Sequence, residues 1–292
     1  MSRVTIYGAR GSYPVSGERV RRYGGSTSCL SLETPQGLII IDAGTGLAAL
    51  SEVLAQRPVL PPITLLFTHF HLDHVIGLPS FAPFRQRGAD ITLATDPMPF
   101  RGWRRRLTTL MGSPFWPVGL LKAGAKIRFH DLPQGARTGV RGPWQRYGVD
   151  ISWCPVAHPQ GCIAYRCDGP NGTVVIGTDR EHGDRRLDPA FRVLCHGANV
   201  LIHDAQYTPD EYPQRIGWGH STWEEAAKVA AAARAQSLVL TSHDPGRSDE
   251  AIDRVVEQAR GIFANTVAAS EQLPLETAGT TQALGRASGR RR

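Results

Sequence analysis

Three histidines and an aspartate fall within one six-residue stretch, His69-Phe70-His71-Leu72-Asp73-His74. Imidazole nitrogens and carboxylate oxygens are the donors that divalent transition ions take, and this density of them is what two adjacent ions need. The stretch follows the apolar run at residues 63–67, which reads as a buried strand and would hold the ligands in fixed directions. Three more candidate ligands stand where apolar runs end. His158 follows residues 151–157, Asp179 follows 173–178, and His243 follows 238–242. Strand ends in layered α/β folds converge on one rim, so residues distant in sequence can meet there. Solvated surface histidines would not share this pattern across four segments. The chemistry it points to is hydrolysis by water that a metal pair has made acidic.

The elements that must position these residues alternate in type. Short apolar runs at 4–7, 29–32, 38–41, 63–67, 91–94, 149–154, 163–167, 173–176, 200–203 and 238–241 read as strands. Helices are expected at 45–55, 222–235 and 249–263; in the last, Ile252, Val255, Val256, Ala259 and Ile262 recur at helical spacing. Ser221 followed by Glu224 reads as a capping box for the second. This rhythm fits stacked sheets with helices outside, an α/β class, in one hydrolase domain over residues 1–272. Residues 96–148 are rich in Arg, Pro, Gly and aromatics but poor in regular pattern, and read as an irregular insertion overhanging the site. Its aromatics would suit a lid or a dimer contact. From residue 273 to 292 the composition turns to Ala, Gly, Thr, Ser and Arg, which is expected to be a flexible tail.

Composition narrows the function classes. The 292 residues are 41% hydrophobic and carry a net charge of +7, but Arg286, Arg290, Arg291 and Arg292 supply four of those charges. Without them about +3 remains, which is ordinary for a soluble domain and does not favour a nucleic-acid partner. No run approaches the roughly 20 apolar residues of a membrane span, so no membrane association is expected, and the start of the chain reads as a strand rather than a targeting peptide. A cytoplasmic location is the expectation. The five cysteines show no C-x-x-C pairing and are expected to be buried thiols.

The motif H-x-H-x-D-H with a later His, Asp and His resembles the signature of the metallo-β-lactamase superfamily. The flanking segments Gly8-Ala9-Arg10-Gly11-Ser12, Gly24-Gly25-Ser26-Thr27-Ser28-Cys29, Asp42-Ala43-Gly44-Thr45-Gly46 and Gly219-His220-Ser221-Thr222 resemble its phosphodiesterase and ribonuclease Z branch. The likeness extends over about residues 4–265. It implies an αββα sandwich of two mixed sheets with helices on the outer faces and the metal site at one edge. It further implies that His69, His71 and His158 hold one divalent metal ion, that Asp73, His74 and His243 hold a second, and that Asp179 bridges them. Zinc is the expected metal; manganese and iron suit the same donors.

By the same resemblance His220 lies in a loop whose histidine gives a proton to the departing oxygen, and Asp204 is the acid that orients it. Asp73, His220 and Asp204 are therefore the residues expected to carry catalysis. An alkoxide is a poor leaving group, so a general acid lowers its barrier, and a neighbouring carboxylate keeps the imidazole protonated. Asp42 is expected to support the site from beneath the metal loop. Arg10 and the loop at 24–28 offer a cation and amides to a phosphate. Arg101, Arg104, Arg105 and Arg106 read as a solvated face, and His203 as structural.

Ribonuclease Z grips its substrate with an arm inserted between the segments equivalent to His158 and Asp179. Here only twenty residues separate those positions, enough for two strands. The expected substrate is therefore a small phosphodiester, such as a cyclic nucleotide or cyclic phosphate. The competing readings are an RNA endonuclease like ribonuclease Z, a hydrolase of another ester, thioester or lactam, and a non-catalytic relative. Relatives in this branch are often dimers, which makes a homodimer a further expectation.

Overall fold

The computed structural model describes residues 3–133 and 139–275. Fourteen strands and five α-helices are formed among them. One seven-stranded sheet comprises β1 (Arg3–Gly8), β2 (Cys29–Thr34), β3 (Gly37–Ile41), β4 (Ile63–Leu66), β5 (Asp90–Thr95), β6 (Lys126–Asp131) and β14 (Leu273–Leu275), in the order β14-β1-β2-β3-β4-β5-β6. The other comprises β7 (Arg141–Arg146), β8 (Val149–Val156), β9 (Cys162–Gly169), β10 (Gly172–Gly177), β11 (Val200–Asp204), β12 (Ser237–Thr241) and β13 (Thr266–Ala268), ordered β13-β12-β11-β10-β9-β8-β7. Both sheets are mixed. From β3 to β6 the first is parallel, and so is the second from β10 to β13, while the remaining pairings are antiparallel. The expected two-sheet α/β architecture is thus present.

Alternation along the second sheet divides the core in two. Ile176, Ile202 and Val239 join the cluster that also holds Ile39, Leu65 and Leu93 of the first sheet. Their neighbours Val175, Leu201 and Leu240 face the other way, onto α3 (Asp188–Cys195), α4 (Trp223–Ala232) and α5 (Asp249–Arg260). That is the period-two consequence of strand geometry. In the first sheet β3 and β4 are buried along their whole length, and α1 (Leu47–Ala55) sends Leu47, Leu50 and Leu54 into the same cluster. All five cysteines are buried free thiols, as expected. Among the described residues no helix is long and apolar enough to cross a membrane.

Besides α3 and β13, which the sequence reading did not place, the structure departs from that reading in three places. Residues 96–148 are not wholly irregular: they form α2 (Trp103–Leu110) and donate an edge strand to each sheet, β6 and β7. Edge position explains why pattern missed them, since β6 mixes charge with apolar residues, and β7 carries Pro143, which only an edge tolerates. The cap of α4 is Thr222, whose hydroxyl accepts from the Glu225 amide at 3.1 Å, one residue later than the expected Ser221. The tail expected from residue 273 begins with a short strand, β14, that pairs with β1 and buries Leu275; residues 276–292 lie outside those described.

A buried ion pair stands among the polar ties between the sheets. Asp96, just past β5, accepts hydrogen bonds from Arg141 of β7 and from Trp153 Nε1 of β8 at 3.0 Å. The Arg141 and Asp96 side chains are 4% and 1% exposed. Losing the Asp96 carboxylate removes this ion pair and leaves the buried Trp153 indole N–H without its acceptor. Asp96→Ala is therefore expected to destabilise the protein by about 1 to 3 kcal/mol, read from urea denaturation; a loss within experimental error of zero would show that the tie contributes nothing.

Candidate metal centre

The site forms because strands running in the same direction end on the same rim. Asp42 follows β3 and His69 follows β4, which are parallel neighbours. Asp179 follows β10, Asp204 ends β11 and His243 follows β12, again parallel neighbours. Two antiparallel steps, β10 to β9 and β9 to β8, turn β8 the same way and bring His158 to that rim. Asp42, Asp179 and Ser242 sit there with φ of 59°, 49° and 55°. This left-handed region is uncommon for residues other than glycine and clusters at functional sites. The turn after Asp42 also passes so close to the metal loop that a Cβ on Gly44 would lie 2.3 Å from the Asp73 carbonyl oxygen.

Each imidazole of the cluster has its outer nitrogen engaged, which decides what the inner one presents. His74 Nδ1–H donates to Asp42 Oδ2 at 2.8 Å. Thr68 gives its hydroxyl proton to Asp42, leaving its oxygen to accept from His69 Nδ1–H at 3.0 Å. His158 Nδ1–H donates to the Gly219 carbonyl at 2.7 Å, and His71 Nε2–H faces Gln160 Oε1 at 3.2 Å. The remaining nitrogens point inward. His158 Nε2 lies 3.0 Å from His71 Nδ1, His74 Nε2 lies 3.1 Å from Asp179 Oδ2, and His69 Nε2 lies 3.7 Å from the same oxygen. His69, His71 and His158 thus form one group with ligand spacing, and His69, His74 and Asp179 a second.

Electrostatics gives the same answer. Burial and the neighbouring His74 hold His69 well below the usual imidazole value, and burial lowers His158. Burial works against charge on His74 too, but Asp179, Asp73 and Asp42 outweigh it and hold its pKa well above the ordinary value. Burial would raise Asp179, yet His74 and His220 keep it well below the carboxylate range. Three carboxylates therefore surround one buried imidazole and call for positive charge. His69 Nε2 and Asp73 Oδ2 are buried with no hydrogen-bond partner. Inward lone pairs of His158 and His71 at 3.0 Å, the unpartnered His69 Nε2 and Asp73 Oδ2, and excess buried negative charge together suit divalent cations.

The other residues singled out in the sequence divide clearly. His220 Nδ1–H donates to Asp204 Oδ2 at 2.7 Å, while Asp204 Oδ1 accepts from the Ser221 and Gln206 amides. His220 also offers a ring nitrogen within ligand range of His158 and Asp179. Burial opposes its charge, but Asp204 and Asp179 raise it to about 9. His243 is on the rim, yet its Nε2–H donates to the Ala269 carbonyl at 3.0 Å and it joins none of the ligand groups found among the described residues. Burial depresses it to about 3. His203 is wholly buried between Arg180 and the Asp204 carbonyl.

Arg10 does not offer itself to a phosphate. It is 1% exposed and donates to the carbonyls of Gly24, Asp244 and Arg247. In the adjoining loop the Ser26 amide is engaged by Glu271. The arginines of the 101–106 run stay at the surface, where Arg104 pairs with Asp131 at 2.6 Å. Sequence reasoning missed Thr68 and Gln160, which set the two nitrogens of His69 and His71, and Ser242, whose hydroxyl donates to Asp179 Oδ1 at 3.1 Å. Their signal is adjacency alone, since Thr68 precedes His69 and Ser242 precedes His243.

Two mixed sheets with helices outside and a His/Asp cluster on one rim define a metallo-β-lactamase-type fold, which implies divalent metal ions. A family model described as a beta-lactamase superfamily domain matches residues 38–243. The chain belongs to that superfamily. Ribonuclease Z of Bacillus mycoides is 31% identical over 256 residues, covering 71% of this chain and 78% of that protein. Other ribonuclease Z relatives match over shorter stretches, such as 28% of the length of the protein from Anoxybacillus flavithermus, where identity is 38% over 89 residues, 30% of this chain. Among solved structures, the metallo-beta-lactamase fold protein YhfI from Bacillus subtilis superposes with a TM-score of 0.71 at 19% identity, covering 94% of this chain and 98% of that one. A diphosphatase from the PhnP family does so with a TM-score of 0.68 at 18% identity and the same coverage. These likenesses are of fold.

The hydrogen bond from His74 to Asp42 generates one expectation. Asp42→Asn keeps size but weakens the acceptor that fixes this imidazole, and loss of such an orienting partner costs about 10- to 100-fold in metal affinity. Competition against a chromophoric chelator would show the shift, and unchanged affinity would remove Asp42 from the site. Asp179→Ala is expected to lower the content of both ions, measured by elemental analysis; full two-ion content would exclude a bridge.

Proposed function

We propose that this chain is a phosphodiesterase working with two divalent ions, for which zinc, manganese and iron all suit the His and carboxylate donors. His69, His71 and His158 would hold one ion, and Asp73, His74 and His243, through its Nδ1, the other, with Asp179 shared between them. Divalent ions in such a site supply Lewis acidity toward a phosphoryl oxygen and a more acidic water. The chain's own residues do the rest. Asp42, Thr68, Gln160 and the Gly219 carbonyl fix the imidazole tautomers, so the inner nitrogens need no reorganisation.

One observation carries the phosphodiester reading beyond a generic hydrolase: the 2.7 Å bond from His220 Nδ1 to Asp204 Oδ2, with the ring's other side toward His158 and Asp179. Asp204 orients the imidazole and favours its protonated form. His220 Nε2–H is then the proton source for the departing oxygen, which an alkoxide needs and an acidic leaving group does not. The twenty residues between His158 and Asp179 are largely taken up by the β9–β10 hairpin. That leaves no room for a long RNA-gripping arm at this point, which supports a small phosphodiester, such as a cyclic nucleotide or cyclic phosphate, as substrate. RNA is the second reading, favoured by the 31% identity to a ribonuclease Z.

His220→Ala should keep its metal yet lose roughly 100-fold or more in kcat on alkyl phosphodiesters, with a much smaller loss on nitrophenyl diesters. Equal losses on both would reject the general-acid role. A panel of cyclic nucleotides, cyclic phosphates and 3′-extended RNA assayed side by side separates the two substrate readings.

A further inference from the structure

The peptide of Gly219 is shared by the two halves of the site. Its carbonyl accepts from His158 Nδ1–H at 2.7 Å, and the next residue is His220. The contact is close enough that a Cβ on Gly219, which has φ of +86°, would stand 2.3 Å from His158 Nδ1. Something must hold this peptide in place, and apolar burial does not. On the segment leading to it, Ile216 and Trp218 are 67% and 57% exposed.

The holding group is Glu181, two residues beyond Asp179. Its Oε2 accepts from the Gly219 amide at 2.8 Å, and its Oε1 from the Gly217 amide at 2.7 Å and the Tyr212 hydroxyl at 3.0 Å. Its own amide donates to the Ala157 carbonyl at 2.7 Å, immediately before His158. Through its carboxylate on one side and its backbone amide on the other, this one residue ties the 212–219 loop to the strand ends that carry His158 and Asp179. Hydrogen bonds to an ionised acceptor are roughly twice as strong as neutral ones, and a loop with little buried apolar surface depends on them.

We infer that Glu181 is a positioning residue that clamps the Gly219 peptide and thereby sets His220 at the distance from the metal ligands that proton transfer requires. The inference rests on the reading of His220 as general acid. Glu181→Gln retains one oxygen acceptor but turns an NH2 toward an amide donor, so at least one of the three bonds is lost.

The test compares wild type, Glu181→Gln, Glu181→Asp and His220→Ala. For Glu181→Gln we expect the kcat on an alkyl phosphodiester to fall roughly tenfold or more, with a clearly smaller fall on a nitrophenyl diester. KM and metal content should stay near wild type. Amide hydrogen exchange over residues 215–221, read on the protein without substrate or metal, should accelerate. Glu181→Asp keeps the charge on a shorter arm and should fall between the two. If His220→Ala discriminates between leaving groups and Glu181→Gln does not, or if exchange in the loop is unchanged, the clamp is overturned while the general acid stands. If His220→Ala fails to discriminate, the general-acid reading fails, and the inference falls with it whatever Glu181→Gln does.

Discussion

Asp42, Asp73 and Asp179 converge on one buried imidazole, His74, and that concentration of negative charge is the constraint around which the rim is built. Buried carboxylates are tolerated only when positive charge and hydrogen bonds accompany them. The protein answers with His74 itself, engaged by carboxylates at both nitrogens, and with His69, His71 and His158, whose outer N–H groups are engaged and whose other nitrogens are directed in. Changing the outer partner of any one of them would change the tautomer, and with it the sign of what the centre presents.

Such a centre demands positional accuracy that loops alone would not deliver. His158, Asp179 and His243 are each placed two residues beyond a strand end, and the 69–74 stretch follows β4; within each sheet the strands concerned run in the same direction. The left-handed backbone at Asp42, Asp179 and Ser242 aims the side chains there, and the two-sided cores beneath keep those strained turns from relaxing. His220 is held differently. It belongs to a polar loop ahead of α4, and its placement depends on Asp204 on one side and on the Gly219 peptide on the other.

The same separation of roles accounts for the peripheral elements. The stretch at 96–148 completes both sheet edges through β6 and β7 and is tied across the sandwich by Asp96 and Trp153. It also reaches the metal loop. Phe115 and Trp116 line an apolar groove together with Leu72 and Ile76, and Leu72 lies between His71 and Asp73. Arg10, by contrast, is a girder: its guanidinium closes the loops at 24 and 244–247 onto the first strand.

Much of this was legible from the chain alone. Period-two and period-3.6 patterning located the central strands and the helices at 47–55, 223–232 and 249–260, because those elements are buried and their side chains must alternate or recur. The dense H-x-H-x-D-H stretch and the polar residues capping apolar runs located the site, because metal donors are few in kind and need stiff supports. Edge strands escaped notice, since half-exposed β6 and proline-bearing β7 need no clean pattern. What only the tertiary structure decided is which atom of each residue faces which partner. That His243 turns its Nε2 to a backbone carbonyl, that Arg10 is buried against the carbonyls of residues 24, 244 and 247, and that Glu181 bonds the loop leading to His220 depend on contacts between segments far apart in the chain. Hydrogen-bond direction is set by three-dimensional neighbours, and a linear pattern does not contain it.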